Sequence, residues 1–446
     1  MATTGASLIG EGVCVGRSAF AGGVHPPGYK ESTAGSAVQW APVPSRLVVP
    51  LSQHLGAPCA ALVEKGDRVE RGQLIGDVDA MVSAPIHSPV TGVVTEVGTT
   101  LTAGGQRVAA VVIEPDEVQD LESFVAVSET GDEKARIRAA GIVGMGGATF
   151  PSTVKLSPPK GMTIETVILN GCECEPFLTC DHRLMLEEPG RVVAGAERIR
   201  EIIGARRAII ALEDNKPDAA AALRAVATGA VEVVELPTMY PQGAEKQLIY
   251  ALLKKEVPHG KLPAATGALV HNVATAVAMV DALESGKPLT ERIVTVTGAV
   301  ARPGNYRVLI GTLVSDLIEY AGGFVGDVER VISGGPMTGM ALGSLDVPIT
   351  KGSSGIVALP KGVAAPAISD DQPCIRCGRC PDSCPMGLEP YILATFSGKR
   401  MWDAAAERHI IDCIECGVCS YVCPTNRPLL QLIRVGKSAA MSKGVK

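Results

Sequence analysis

Residues 374–385 have the sequence CIRCGRCPDSCP, and residues 413–424 have the sequence CIECGVCSYVCP. Both stretches follow the pattern C-x2-C-x2-C-x3-C-P, and they contain eight of the 13 cysteines of the chain. Three closely spaced thiolates can hold one face of a 4Fe-4S cluster, and in two-cluster ferredoxins the fourth cysteine binds the other cluster. The repeats therefore predict a ferredoxin-type domain with two 4Fe-4S clusters.

This cross-ligation assigns the eight thiolates to two sets. The first cysteine set is Cys374, Cys377, Cys380 and Cys423, and the second cysteine set is Cys413, Cys416, Cys419 and Cys384. Two zinc sites are the alternative, but a zinc site needs only four ligands and rarely uses a third C-x2-C step followed by C-P. A disulfide framework is disfavoured in a large chain that starts without a secretion signal.

Composition and charge limit what the chain can be. At roughly 100–200 residues per domain, 446 residues indicate several domains. The hydrophobic fraction of 46% permits real cores, while the net charge of −6 and the aromatic fraction of 3% argue against a nucleic-acid binder. No apolar run approaches the ~18–20 residues of a membrane helix, so we expect a cytoplasmic chain without a direct membrane span. Any membrane attachment would then come through partner subunits.

Local patterns divide the chain into an arm, four domains and a linker. Short apolar stretches separated by Gly and Asp predict a small β domain, and strands that alternate with helices predict a parallel sheet covered on both faces. The predicted segments are an extended arm (1–45), a barrel-sandwich, lipoyl-like β domain (46–118), an α/β domain (130–289), a small α+β module (290–350), a linker (351–371) and the ferredoxin-type domain (372–446).

The β domain resembles lipoyl and biotin carrier domains, which present a modified lysine at a hairpin tip. The matching stretch, residues 83–92, holds Ile86 and His87 but no lysine. A structural role is therefore favoured over a swinging arm.

Three polar loops follow strands of the predicted parallel sheet, where ligands of such folds bind. They are NGCECEP at 170–176, YPQGAE at 240–245 and HNVAT at 271–275. A glycine-rich loop, GMGGATFP at 144–151, precedes Lys155 and could bring backbone N–H groups to a phosphate. Thr149 breaks the dinucleotide fingerprint G-x-G-x-x-G, so a plain turn remains an equal alternative for this loop.

These loops resemble the FMN- and NADH-binding loops of the complex I flavoprotein subunit. The chain from about residue 19 to 437 resembles the RnfC family, the peripheral subunits of the membrane-bound Rnf ferredoxin:NAD⁺ oxidoreductase complex. Its motifs are GGVHPP at 22–27, PLSQHLGAP at 50–58, GIVGMGGATFP at 141–151, EDNK at 213–216, GGPM at 334–337 and both cysteine repeats. The resemblance implies that residues 130–289 form an FMN/NADH domain and that residues 290–350 form a β-grasp-like SLBB module.

The resemblance also implies roles for single residues. For a non-covalent FMN it implies phosphate contacts from Gly144, Gly146, Gly147 and Lys155, a flavin-edge bond from Asn170, and phosphate and ribityl contacts from Asn272 and Thr275. It further places Phe150, Tyr240 and Gly243 in the cofactor site, and Glu173, Glu175 and Glu245 as catalytic carboxylates beside the nicotinamide.

At three positions, this sequence has an uncharged residue where the complex I flavoprotein subunit that it resembles has a charged one. These positions are Met145, Cys172 and Ala244; at a fourth, His271 replaces an asparagine.

The implied function is hydride exchange between NAD(H) and FMN, followed by single-electron transfer through the two clusters. The partners would be the other Rnf subunits, including membrane-embedded ones and a ferredoxin-like iron–sulfur subunit, at the cytoplasmic face of the membrane. Two alternatives remain open: a cobalamin reductase of the propanediol-utilisation type, and a non-catalytic cluster wire with an inactive flavin site, which the three lost charges favour.

Overall fold

The N-terminal segment lies across two domains. The computed structural model describes residues 19–128, 130–362 and 373–443; Cys14 and the first 18 residues of the predicted arm lie outside them. The segment contains α1 (Glu31–Ala34) and β1 (Gln39–Trp40). Phe20 is buried, and Val24 forms an isolated bridge with Tyr240 of the α/β domain. Strand β1 pairs with residues 306–307 of the SLBB module.

The barrel domain contains two small antiparallel sheets around one apolar core. Its strands are β2 (Leu47–Pro50), β3 (Ala60–Ala61), β4 (Arg68–Val69), β5 (Leu74–Asp77), β6 (Ile86–His87), β7 (Gly92–Leu101) and β8 (Arg107–Pro115). The sheet orders are β2-β8-β7-β4 and β3-β5-β6. Residues 83–90, where a carrier domain would present its lysine, are all buried. The Lys351 ammonium donates to the Pro85 carbonyl at 2.6 Å, so this hairpin is a packing surface.

The α/β domain has a four-stranded parallel sheet with helices on both faces. Its elements are α2 (Glu133–Ala139), α3 (Ser152–Lys155), β9 (Thr166–Asn170), α4 (Cys180–Glu187), α5 (Pro189–Ile203), β10 (Arg207–Glu213), α6 (Pro217–Val226), β11 (Val231–Leu236), α7 (Glu245–Leu253), a 3₁₀ turn (Pro263–Thr266), β12 (Ala268–Asn272) and α8 (Val273–Glu284). The sheet order is β11-β10-β9-β12. Separate apolar clusters cover its two faces, as expected for strands buried on both sides.

Local sequence signals explain the helix ends that fix this domain. Pro189 occupies the first turn of α5, and Gly204 ends it in the left-handed conformation at φ +71°. The Asn272 side chain caps α8 by accepting hydrogen bonds from the backbone of Ala274 and Thr275. The same asparagine ends β12, so one residue joins the sheet edge to a helix N-terminus.

The SLBB module contains β13 (Glu291–Gly298), β14 (Gly304–Leu309), α9 (Val314–Tyr320), β15 (Val328–Ser333), β16 (Met340–Ala341) and β17 (Gly355–Pro360). Its sheet order is β1-β14-β13-β17-β15-β16. The predicted linker at 351–371 is therefore too long, because β17 lies inside the sheet between β13 and β15. Its run GIVALP is buried on both faces and has no polar alternation to mark it as a strand.

The ferredoxin-type domain is helical around the cysteine loops. Its elements are α10 (Arg379–Asp382), α11 (Pro390–Gly398), α12 (Trp402–Glu407), a 3₁₀ turn (Ile410–Asp412), α13 (Val418–Tyr421) and α14 (Leu429–Ser442). Helices α11 and α12 lie in the spacer between the two cysteine repeats. Their apolar residues pack with α14, around buried Leu393, Ile410 and Ile433.

The predicted fold class, several α/β and β domains with a C-terminal cluster domain, is confirmed. Within the described ranges, no helix is both long and apolar enough to span a membrane.

Candidate functional site

Two asparagines lie side by side where β9 and β12 end. Asn170 and Asn272 are register partners of these parallel strands. The Asn170 side-chain nitrogen donates to the Gly243 carbonyl at 2.8 Å, and its oxygen accepts from the backbone N–H of Cys172 at 3.1 Å. Asn170 therefore joins the 170–176 and 240–245 loops at the carboxyl edge of the sheet.

The glycine-rich loop covers the same edge and is open to solvent. Gly146 and Gly147 are exposed, and Gly147 has φ +113° with open space where a Cβ would lie. A Cβ on Gly146 would lie 3.4 Å from Asn272. Behind the loop, the Met145 N–H donates to the buried Thr275 hydroxyl at 2.8 Å. The loop thus presents its backbone outward while Thr275 and Asn272 hold it from the helix end.

Lys155 and Glu245 form an ion pair at 2.7 Å across the crevice, with both side chains about one-third exposed or less. The pair brings together the end of α3 and the start of α7. Burial and the nearby Lys155 lower the pKa of His271 well below its ordinary value, so this imidazole is neutral. A phosphate bound by Lys155 would share the ammonium with Glu245.

Glu173 and Glu175 are engaged in holding the 170–178 loop. The Glu173 carboxylate accepts from the backbone N–H groups of Asp181 and His182 at 2.7 and 3.2 Å, at the start of α4. The Glu175 carboxylate accepts from the backbone of Met337 and Thr338 at 3.0 and 2.9 Å, in the GGPM turn of the SLBB module. Both carboxylates that were expected beside the nicotinamide therefore accept backbone hydrogen bonds from neighbouring segments.

Arg292 of the SLBB module is a site residue that sequence reasoning missed. Its guanidinium is buried and lies behind the glycine-rich loop: Nη1 is 2.6 Å from Met145 Sδ, and Nη2 donates to the Met145 carbonyl at 3.3 Å. Arg292 therefore places a positive charge behind this loop from another domain. The signal in the sequence is weak: one arginine at the start of an apolar strand.

Asp181 was also missed, and it lies next to this charge. Its carboxylate accepts from the Asn272 side chain at 2.6 Å. Burial and the neighbouring Glu173 raise the pKa of Asp181 to about 7, while Arg292 and the Asn272 bond oppose the rise. Asn272 is therefore fixed by an acid that titrates near neutrality.

The crevice has the properties that a bound FMN requires. Its glycine-rich backbone is exposed, Lys155 supplies a cation, and the neighbouring loop contains an unsatisfied amide. Gln242 is fully buried, and neither side-chain polar atom has a partner among the described residues. Buried amides are nearly always hydrogen-bonded, so this loop has capacity for a polar ligand or water. The residues fit a flavin nucleotide.

The four thiols of the second cysteine set line one cavity. Cys384, Cys413, Cys416 and Cys419 surround it together with apolar side chains that include Met386, Leu393 and Ile433. Burial raises the pKa of Cys416 to about 12, and the nearby Cys413 and Cys384 add to the rise. Cys384 comes from the first repeat, so its position supports the predicted cross-ligation. Four thiolates around an apolar cavity fit a 4Fe-4S cluster.

The first cysteine set lies at the surface. Cys374 and Cys377 are exposed, and Ile375 between them is 61% exposed. Burial raises the pKa of Cys380 to about 11, and the nearby Cys374 and Cys423 raise it further. Cys423 comes from the second repeat, which again agrees with cross-ligation.

The α/β domain contacts the ferredoxin-type domain at the second cysteine set. The Tyr240 hydroxyl donates to the Cys416 carbonyl at 2.7 Å, and the Gln247 amide donates to the Pro385 carbonyl at 3.1 Å. Gly22 lies so close to Cys384 that a Cβ there would be 2.8 Å from its carbonyl oxygen. The loop at 240–245 therefore contributes to the flavin crevice and to the wall around one cluster site.

Comparison with known proteins agrees with this architecture. Family models match residues 18–118 (RnfC barrel sandwich hybrid domain), 137–281 (Nuo51 FMN-binding domain), 293–341 (SLBB domain) and 373–427 (4Fe-4S dicluster domain). The RnfC-type subunit of the proton-translocating ferredoxin:NAD⁺ oxidoreductase complex of Clostridium ljungdahlii is 45% identical over 95% of this chain and 94% of its own. The chain belongs to the RnfC family.

Two more RnfC relatives show a similar level of identity. The equivalent subunit of the Na⁺-translocating ferredoxin:NAD⁺ oxidoreductase complex of Acetobacterium woodii is 42% identical over 94% of this chain and 96% of its own length. The equivalent subunit of the ion-translocating oxidoreductase complex of Rhodobacter capsulatus is 42% identical over 83% of this chain and 73% of its own. The names of the first two relatives differ in the translocated ion.

Proposed function

We propose that this RnfC chain exchanges electrons between NAD(H) and the iron–sulfur centres of an Rnf complex through FMN bound in its α/β domain. The observation that supports this most directly is the loop at 240–245. It lines the flavin crevice through Gly243 and Glu245, and it contacts the second cysteine set through Tyr240. One short loop thus connects the site for two-electron chemistry with a site for one-electron chemistry.

FMN, when bound, accepts hydride from a nicotinamide and passes on single electrons. The residues of the crevice bind and orient it. The backbone of Gly144, Gly146 and Gly147 would hold the phosphate, and Lys155 would provide the charge, with Glu245 beside it. Asn170 would bond the flavin edge, while Asn272 and Thr275 would hold the loop for the phosphate and ribityl chain.

We assign the predicted carboxylates different tasks. Glu245 lines the open crevice and would lie on the nicotinamide side, and Phe150 would be an apolar contact for the nucleotide. Glu173 and Glu175 act as positioning residues, since their carboxylates accept backbone hydrogen bonds from α4 and from the SLBB turn. The geometry supports one carboxylate at the nicotinamide and two that fix the loop around it.

The two cysteine sets follow one another in the proposed electron path. The second set is the one in contact with the flavin domain, because Tyr240 and Gln247 bind the backbone of its loops. The first set has exposed cysteines, so a cluster there is accessible to a partner. We propose that electrons cross from FMN to the second set and leave through the first set, or follow the reverse route.

The partners in this proposal are the other Rnf subunits, including the membrane-embedded ones and a ferredoxin-like iron–sulfur subunit. The named relatives are subunits of ion-translocating complexes, which supports a position beside a membrane. We propose that partner subunits hold it peripherally at the cytoplasmic face, where NADH is available.

An anaerobic titration tests the proposal. The reconstituted chain is purified, its FMN, iron and sulfide are quantified, and NADH is added while the visible spectrum is followed. We expect flavin bleaching followed by loss of the broad iron–sulfur absorption. Bound FMN and iron without any NADH response would contradict catalysis within this chain and support the cluster-wire alternative. In a separate assay, reduction of added cobalamin by NADH would support the cobalamin-reductase alternative.

The Lys155→Ala variant tests the phosphate contact of this residue. A charge-assisted hydrogen bond contributes about 1.5–3 kcal/mol, so we expect FMN retention on gel filtration to weaken by roughly tenfold or more. Cluster absorption should be unchanged, because Lys155 lies outside both cysteine sets. Unchanged FMN retention would refute the phosphate assignment.

A further inference from the structure

Two histidines and an aspartate converge where the α/β domain meets the ferredoxin-type domain. His259 lies in the loop after α7, while His409 and Asp412 lie between α12 and the second cysteine repeat. One ligand atom from each residue lies within 4.8 Å of the other two. None of the three belongs to the flavin crevice or to a cysteine set, and the proposed function does not use them.

Tight turns hold all three residues in place. Pro258 and Gly260 flank His259, and the Lys261 N–H closes this turn on the Pro258 carbonyl at 3.0 Å. In the other segment, the Asp412 N–H closes a turn on the His409 carbonyl at 2.9 Å. His409 and Asp412 thus share one turn and face His259 together.

The contacts within the group are those of potential metal ligands. The Nδ1 atom of His259 bonds one carboxylate oxygen of Asp412, and the two imidazole rings lie edge to face with centroids 5.0 Å apart. The Asp412 side chain is 17% exposed, whereas the His259 side chain is 50% exposed. The carboxylate is therefore partly enclosed, while the histidines leave room for water molecules on the outer side.

The donor set selects a class of ion. Two imidazole nitrogens and one carboxylate oxygen suit Zn²⁺ and neighbouring transition metals, whereas Mg²⁺ and Ca²⁺ prefer oxygen ligands. Zinc bonds to nitrogen and oxygen are about 2.0–2.2 Å, which puts neighbouring ligand atoms roughly 3.3–3.6 Å apart. The short hydrogen bond between His259 and Asp412 must therefore open to admit the ion between them. Such a movement is small for exposed imidazoles.

One neighbouring charge opposes the ion. The Lys246 ammonium lies 3.6 Å from the other carboxylate oxygen of Asp412. The oxygen that faces His259 would bind the ion monodentately in place of the His259 hydrogen bond, and the ammonium reduces the attraction for a dication. We infer that His259, His409 and Asp412 form a binding site for a zinc-class divalent transition-metal ion, completed by water, that joins the α/β domain to the ferredoxin-type domain.

The test uses the complete chain with FMN and clusters in place. Zinc is supplied anaerobically at free concentrations fixed by a metal buffer, and bound zinc and iron are counted by mass spectrometry after desalting. We expect one zinc per chain at unchanged iron content. The His259→Ala and His409→Ala variants should each weaken zinc binding by more than the roughly 10–100-fold that loss of an outer-shell partner causes.

His25→Ala is the matched control, because the exposed His25 side chain bonds a backbone carbonyl, that of Thr238, and lies outside the proposed site. It should bind zinc like the parent chain. The inference is overturned if the parent chain binds no zinc, or if its zinc content is unaffected by both histidine variants. Zinc uptake that tracks the loss of iron would place the ion at the cysteines and would equally refute the site.

Discussion

The two cysteine sets have nearly identical sequence patterns but very different surroundings. The second set lines a cavity with apolar walls, and the α/β domain contacts its backbone through Tyr240. The first set includes exposed Cys374 and Cys377, with exposed Ile375 between them. A local motif therefore specifies the cluster type, while the domain packing gives the two sets different surroundings. We propose that the second set faces the flavin and the first set faces a partner.

The largest expected difference between the sets concerns stability. Cys416→Ala and Cys377→Ala should each lose about half of the iron, because each removes one ligand of one cluster. Cluster binding also contributes to the free energy of folding, and the second set lies where the ferredoxin-type domain contacts the α/β domain. We therefore expect Cys416→Ala to lower the thermal midpoint by roughly 5 °C more than Cys377→Ala does. This difference corresponds to about 2 kcal/mol in the free energy of unfolding. Equal thermal midpoints for the two variants at equal iron loss would contradict this difference in stability between the two cysteine sets.

A second prediction concerns the charge behind the glycine-rich loop. Arg292→Met removes a buried guanidinium that contacts Met145 and lies near Asp181. Loss of this donor leaves the buried Met145 carbonyl unsatisfied at a cost of about 1–3 kcal/mol, so FMN retention and thermal stability should both fall. Arg330→Met, a partly exposed arginine of the same module, is the control and should retain FMN. Retention in the Arg292 variant would show that the module only packs against the loop.

The contrast between Arg292 and the cysteines explains what the sequence could predict. The alternation of strands and helices in the α/β domain could be predicted, because short apolar runs between helices, such as those at 166–170 and 231–236, are a local signal. The cysteine sets follow from spacing, and the positions of Cys384 and Cys423 support them. Arg292, the SLBB-bound Glu175 and strand β17 depend on contacts between distant segments, which no local pattern encodes.

A smaller effect is expected from pH. Burial and Glu173 raise the pKa of Asp181 from 3.8 to about 7, so the folded chain holds its proton more tightly than the unfolded chain does. The contribution of the protonated Asp181 carboxyl to folding stability is complete below pH 3.8 and is lost as the pH rises through about 7. Asp181→Asn keeps an amide oxygen for Asn272 and cannot ionise. Thermal midpoints from about pH 5 to 8 should fall less in the variant than in the parent.

The control for this prediction is Asp327→Asn, a substitution in the SLBB module outside the crevice. Its pH profile should match that of the parent chain. Parallel profiles for Asp181→Asn and the parent would show that Asp181 is not the titrating group.

The order of the two clusters in the electron path is tested most directly by anaerobic electron paramagnetic resonance on the two cysteine variants. In Cys377→Ala, NADH should reduce the remaining cluster as it does in the parent chain. In Cys416→Ala, NADH should reduce FMN but leave the remaining cluster oxidised, although dithionite reduces it. Prompt reduction of that cluster by NADH in Cys416→Ala would contradict a path through the second cysteine set.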